Sequence, residues 1–179
     1  MKKWLISFFL VLIIVFVTVR GFYYTHPKNI NRSISGVEFQ LGSNNNPKPV
    51  TISINGKLQH SLLGSKTFIG KIELIGVIHP NPDDKDKQLE IKFQKNGSGN
   101  IIYAYYKDRK PVVHSYGVLF INKDLSKVTI EEFPPVNDRG QTWEAQNGLL
   151  VSGPAKSRNK AIQISNELMK NILNGYELH

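Results

Sequence analysis

The chain has 179 residues, no cysteine, and 23 basic against 14 acidic residues, for a formal charge of +9. Without cysteine there can be no disulfide framework, thiolate metal site, cysteine nucleophile or lipid-modified cysteine anchor. The positive excess favours anionic lipid or wall polymer as a neighbour. It is mostly lysine with no arginine-rich stripe, so nucleic acid is not an expected partner.

The first element is the apolar run Trp4–Val19, WLISFFLVLIIVFVTV, behind a basic tail of residues 1–3 with Lys2 and Lys3. As a helix it is roughly 24 Å long, a little short of a hydrocarbon core of about 30 Å. Continuing it through Tyr24 closes the gap, with Arg20 snorkelling outward and Trp4, Tyr23 and Tyr24 at the aromatic-belt positions. A cleaved signal peptide is the competitor. Its apolar core is usually about 7–15 residues, and Val19-Arg20-Gly21 is a poor cleavage pattern. The expectation is therefore a single-pass signal anchor over residues 4–24. Flanking charges are nearly balanced; the short basic tail favours the N-terminus inside and the following domain outside.

Residues 25–36 read as a polar linker, and 37–179 as one β-rich domain. Val37–Leu41 is a first strand candidate, and GSNNNPKP (42–49) a loop. Val50–Leu62 reads as a hairpin about Asn55-Gly56, with a bulged three-residue loop that pairs Ile52 with Leu58 and Val50 with His60. Thr67–Ile78 is a long strand with Phe68, Gly70, Ile72, Leu74, Gly76 and Ile78 on one side. The proline-broken loop 79–87 follows. Leu89, Ile91 and Phe93 alternate with charged or polar residues, as a half-buried strand requires. Strands over 100–107, 112–122 (apolar on both faces, hence central), 128–133 and 148–151 come next. Turns separate most of these, and Pro134-Pro135 with an irregular stretch to 147 precedes the last. A C-terminal amphipathic helix is expected over 154–174. Pro154 opens it, Gly175 stops it, and Ala161, Ile164, Leu168 and Ile172 lie on the packing face. Short connections favour antiparallel pairing. The expected architecture is α+β: an N-terminal transmembrane helix, then an antiparallel sheet or partial barrel of about eight strands with the helix packed on it or plugging it.

No stretch specifies a reaction. Ser157-Arg158-Asn159-Lys160 has the Ser-x-x-Lys spacing of serine acyl-transfer enzymes, but their partner motifs are missing and the domain is too short. Asp83-Asp84-Lys85-Asp86 lacks the glycine and late glutamate of a calcium loop and reads as a solvated turn. None of the five histidines sits at ligand spacing; His114, on the face of Val112 and Tyr116, reads as a hydrogen-bonded core histidine. No cofactor or metal is implied. Two surfaces are candidates for binding. Tyr103 and Tyr105 share a face beside Lys107, Arg109 and Lys110, where aromatic area could meet sugar or protein. Lys156, Arg158 and Lys160 crowd a helix start that ordinarily prefers acids, which would suit an anion. The expected function is a non-enzymatic, extracytoplasmic binding or interaction protein whose partner is anionic lipid, wall polymer or an envelope protein. A cytoplasm-facing lipid-binding module of pleckstrin-homology shape is one alternative. A small envelope enzyme using Glu131, Glu132 or Glu144 is another.

Overall fold

The computed structural model describes residues 2–77, 82–84, 86–133 and 143–179. Ile78, His79, Lys85 and the stretch from Pro134-Pro135 to residue 142 lie outside the described residues. Helix α1 spans Lys2–Thr25. Among the described residues eight strands follow: β1 (Lys28–Gln40), β2 (Lys48–His60), β3 (Lys66–Ile75), β4 (Leu89–Phe93), β5 (Ser98–Lys107), β6 (Lys110–Ile121), β7 (Val128–Glu132) and β8 (Leu149–Gly153). Helix α2, Arg158–Leu173, ends the fold.

The strands form one antiparallel sheet in the order β4-β3-β2-β1-β8-β7-β6-β5. All neighbours but one are consecutive in the chain; the exception, β1 with β8, joins the first strand to the last. The two edges, β4 and β5, are linked by a tight turn in which Gln94 N–H donates to the Ser98 carbonyl at 2.8 Å. The sheet is thus a nearly closed up-and-down barrel, which leaves little exposed strand edge.

Alternation sorts the side chains into two cores. Inside the barrel lie Ile34, Val50, Ile52, Ile54, Leu58, Phe68, Leu89, Ile91, Ile101, Leu119, Ile130 and Val151, among others. Outside, Val37, Phe39, Phe120 and Leu150 meet Ala161, Ile164 and Met169 of α2. The helix therefore packs on the outer wall and does not plug the barrel. Between them Thr129 Oγ1 lies 3.0 Å from Ser152 Oγ and 3.3 Å from Ser165 Oγ, satisfying three buried hydroxyls. Ile172, assigned to the packing face by its spacing, is exposed.

Several local expectations are corrected. The linker does not extend over 25–36: β1 begins at Lys28 and pairs with β2 from Lys28↔Leu58 onward. Its first half, KNINRSIS, carries few apolar residues, and pairing within the barrel overrides its weak strand propensity. Asn55-Gly56 is not a turn. Residues 48–60 run as one strand, in which Val50, Ile52, Ile54 and Leu58 keep a single inward alternation through Gly56. Gly56 sits opposite Gly70. A Cβ on Gly56 would lie 2.7 Å from the Gly70 Cα and 2.9 Å from the Phe68 ring, so these glycines serve close strand approach, not chain reversal. Helix α2 starts later than residue 154. Gly153-Pro154 is a cis peptide in the connection, and Ser157 caps the helix by accepting from Lys160 N–H. At its other end Asn174 (φ 48°) and Gly175 (φ 91°) are both left-handed, as a stop at this point requires.

The barrel has two distinct ends. The proximal end, beside α1, carries the β2–β3, β4–β5 and β6–β7 turns. The distal end carries the β1–β2 and β5–β6 connections and the strand ends at Gln40, Ile75, Glu132 and Leu149. Helix α1 contains an 18-residue stretch, Phe8–Thr25, long and apolar enough to cross a membrane, and no residue of it is buried by the rest of the chain. Its length and composition fit a membrane anchor or a signal sequence alike.

Candidate functional site at the distal end of the barrel

A bulge shapes the distal interior. In the β5–β6 pairing Ile101 faces Gly117 and Ile102 faces Ser115, which leaves Tyr116 as the extra residue. The inward series therefore shifts parity from Val112, His114 and Tyr116 to Gly117, Leu119 and Ile121. The strand's apolar look on both faces has this shift and the cover of α2 as its causes.

The bulge aims Tyr116 at β7, where its hydroxyl donates to Glu132 Oε1 at 2.7 Å in a buried position. Burial pushes the Glu132 carboxyl up to about 7, against the tyrosine hydrogen bond, which lowers it; the charge of Glu38 adds to the rise. Burial, then Glu132, raises the Tyr116 hydroxyl far above its usual range. Glu38 is buried on the inner face of β1, with Lys48 Nζ 3.4 Å from its Oε2. That oxygen has no hydrogen-bond partner among the described residues.

Beside them His114 Nδ1 lies 2.7 Å from Asp84 Oδ2, with the Tyr103 ring stacked on the imidazole at 6.4 Å. Asp84 sits in a short 3-10 turn, Pro82–Asp84, and is fully buried. The acidic stretch is thus only partly a solvated loop: Asp83 is exposed and paired with Lys107, while Asp84 turns inward. His114 is the hydrogen-bonded, largely buried histidine expected. Asp83 is held below the usual carboxylate range by that lysine, first by the hydrogen bond and then by its charge. Burial, reinforced by the Asp84 charge, raises Tyr103 to about 12.

The expected binding face of Tyr103, Tyr105, Lys107, Arg109 and Lys110 is not formed as one surface. Tyr103 is only 3% exposed and lines the barrel interior, and Tyr105 is half-buried on the same inner face beneath Lys87, whose Nζ lies 4.7 Å from the ring centroid. Lys107, Arg109 and Lys110 remain exposed at the hairpin tip, where Asp108 (φ 50°) and Arg109 (φ 64°) form the turn. The opposite parity faces solvent. Tyr106 is 78% exposed and Val113 74%, and Ile102 is also exposed. The pairings Ala104↔Val113 and Tyr106↔Pro111 place these residues side by side on the outer wall. The surface that carries exposed apolar area next to Arg109 and Lys110 is therefore Ile102, Tyr106, Pro111 and Val113. The alternation that put Tyr103 and Tyr105 together also put Tyr106 opposite them; choosing the outward set needed the register of β6.

The three cations at the start of α2 do not converge. Lys156 and Lys160 are exposed, and Lys160 Nζ donates to its neighbour Gln163 at 2.9 Å. Arg158 folds back over the Phe39 ring and donates to the main-chain oxygens of Gln40 at 3.5 Å and His179 at 3.3 Å. It ties the segment after α2 to the barrel, as does Asn166, which bonds both main-chain groups of the buried Leu178. Its position at a helix start is incidental to that clamp. Glu131 and Glu132 are both buried but, as consecutive strand residues, point to opposite sides of the wall, and Glu144 is exposed, so the three carboxylates share no cleft. Glu131, whose carboxyl burial also raises to about 7, faces outward.

Comparison of the chain with protein-family models, with curated proteins and with solved structures found no match.

Proposed function

We propose that this chain is a single-pass membrane protein in which α1 is retained as an uncleaved anchor and the barrel is a non-enzymatic binding module on the extracytoplasmic side. The observation that carries the reading is the placement of the two ends. Only two residues separate α1 from β1, so the proximal end stands at the bilayer and the distal end faces away from it. The β5–β6 hairpin, with Tyr106, Val113, Arg109 and Lys110, is then the part of the barrel best placed to meet an envelope partner. Tyrosine beside arginine is a composition that interfaces favour, and the cations select an acidic partner.

A photo-crosslinking residue in place of Tyr106, in cells producing the full chain, tests this. A discrete adduct that disappears when Arg109 and Lys110 are both changed to glutamate is the expected result. If Tyr106 gives no more adduct than the exposed control position Lys92 on β4, the binding face is wrong.

A further inference from the structure

We infer that the β2–β3 turn is a second membrane contact: Leu62 and Leu63 insert into the headgroup and upper acyl region of an anionic bilayer beside α1. This inference rests on the anchor reading above. Leu63 is 97% exposed and Leu62 75%, and outside α1 they are the only leucines among the described residues left so open. They occupy the tip of a turn at the proximal end, next to the place where α1 emerges. The Leu62 side chain lies 3.5 Å from where a Cβ on Gly21 would stand. On the next turn of α1 the Tyr24 ring packs 5.3 Å from that of His60. The tip is thus fixed in height relative to the residues that an aromatic belt would hold at the interface.

The turn is also built for a place with little water. Ser61 N–H donates to the Ser65 carbonyl at 2.8 Å, Gly64 N–H to the Ser61 carbonyl at 3.0 Å and Ser65 N–H to the Ser61 hydroxyl at 3.1 Å. The two hydroxyls lie 2.6 Å apart. These bonds satisfy three of the turn's main-chain N–H groups, which lowers the cost of bringing it into a layer with less water, and leucine supplies its two outward side chains. Gly64, at φ 83°, supplies the left-handed residue that closes it.

Charge completes the surface. Lys66, Lys95 and Lys123 line one shallow surface with Leu63, and Arg20 borders Leu62 across the cleft to α1. On the same side Glu167 is paired with Lys127 at 2.6 Å, and Asp124 accepts from the Ser126 hydroxyl and keeps its charge. An apolar tip flanked by cations that form no ion pair among the described residues is the pattern that binds anionic interfaces, combining buried apolar area with attraction to head groups.

Because the chain has no cysteine, single introduced cysteines report without background. The full-length variants Ile13→Cys, Leu63→Cys and Asn45→Cys, each carrying an environment-sensitive fluorophore, are reconstituted into phosphatidylcholine–phosphatidylglycerol vesicles. Lipids with a quencher on the upper acyl chain are compared with unlabelled lipids. The expected outcome is blue-shifted, quenched emission at positions 13 and 63 and water-like, unquenched emission at position 45. Quenching at 13 without quenching at 63 overturns the inference and leaves the anchor standing. Absence of quenching at 13 overturns both. Quenching at 63 that is equal in vesicles of pure phosphatidylcholine would remove the role given to Lys66, Lys95 and Lys123 and contradict the anionic preference.

Discussion

Gly117→Val is expected to abolish folding of the barrel, and Gly117→Ala to destabilise it by about 3 kcal/mol or more. Gly117 stands directly after the bulged Tyr116 and pairs with Glu132 of β7. A Cβ at this position would overlap the Glu131 carbonyl oxygen and lie 3.0 Å from its carbon. The obstacle is main chain in a central strand, so relief requires β6 and β7 to part. Separation would break the ladder where Tyr116 meets Glu132 and where Leu119, Ile121, Val128 and Ile130 fill the core. Urea unfolding of the detergent-solubilised chain, followed by far-ultraviolet circular dichroism, measures the effect. Gly64→Ala makes a useful comparison: nothing lies within 4 Å of its Cβ position, so only the cost of its positive φ, of order 1 kcal/mol, is expected. Equal losses at the two sites would contradict the close approach of β6 to β7.

Barrel stability is expected to fall as pH rises from about 4.5 to 7. The folded state holds the Glu131 and Glu132 carboxyls at about 7, against 4.5 for an ordinary glutamate. Between those values the native chain binds more protons than the unfolded one, so raising pH favours unfolding. The stabilising contribution is complete below the unfolded value and is lost once the folded one is passed. At about 1.4 kcal/mol per pKa unit, Glu132 alone accounts for about 3 kcal/mol. Asp83 and Asp124, whose pKa values are lowered, act in the other direction at more acidic pH, and His60, lowered by burial and then by Lys66, offsets part of the fall within the window. Glu132→Gln keeps an acceptor for the Tyr116 hydroxyl and removes the ionisation. The variant should match the parent near pH 5 and exceed it above pH 8, with a correspondingly shallower pH profile. A parent chain whose stability rises from pH 5 to 8 would show that these carboxyls are hydrated in the folded state.

Much of the architecture was legible from local pattern. The apolar run gave α1, and clean alternation gave β4. Short connections gave antiparallel pairing, and three- and four-residue spacing gave the packing face of α2 as far as Leu168, with Ile172 left exposed. The failures share a physical origin in long-range pairing. Asn55-Gly56 carries strong turn chemistry, yet Gly56 is used because Gly70 and the Phe68 ring approach it from another strand. The polar start of β1 has no hydrophobic period of its own and is ordered by β2. The distal site was least legible. The Tyr116–Glu132 bond depends on a one-residue bulge, which reverses inward and outward parity along β6 and leaves no mark in composition. The same uncertainty of parity made Tyr103 and Tyr105 look like the exposed pair when Tyr106 and Val113 are. Glu38 gave no signal because an acid on a barrel's inner face looks like any polar strand residue until the strand has neighbours on both sides.

The placement of the barrel across a membrane is the claim on which the functional account turns, and one labelling measurement tests it. Asn45 is exposed in the distal β1–β2 connection, and a cysteine there would be the chain's single thiol. Intact cells producing full-length Asn45→Cys are treated with a membrane-impermeant maleimide, and the labelled chain is then sought in the membrane fraction. The account predicts full labelling before lysis, on a chain that retains its N-terminal helix and stays with the membrane. Labelling only after lysis would put the barrel in the cytoplasm, and a labelled, shortened chain in the medium would make α1 a cleaved signal; either result contradicts it.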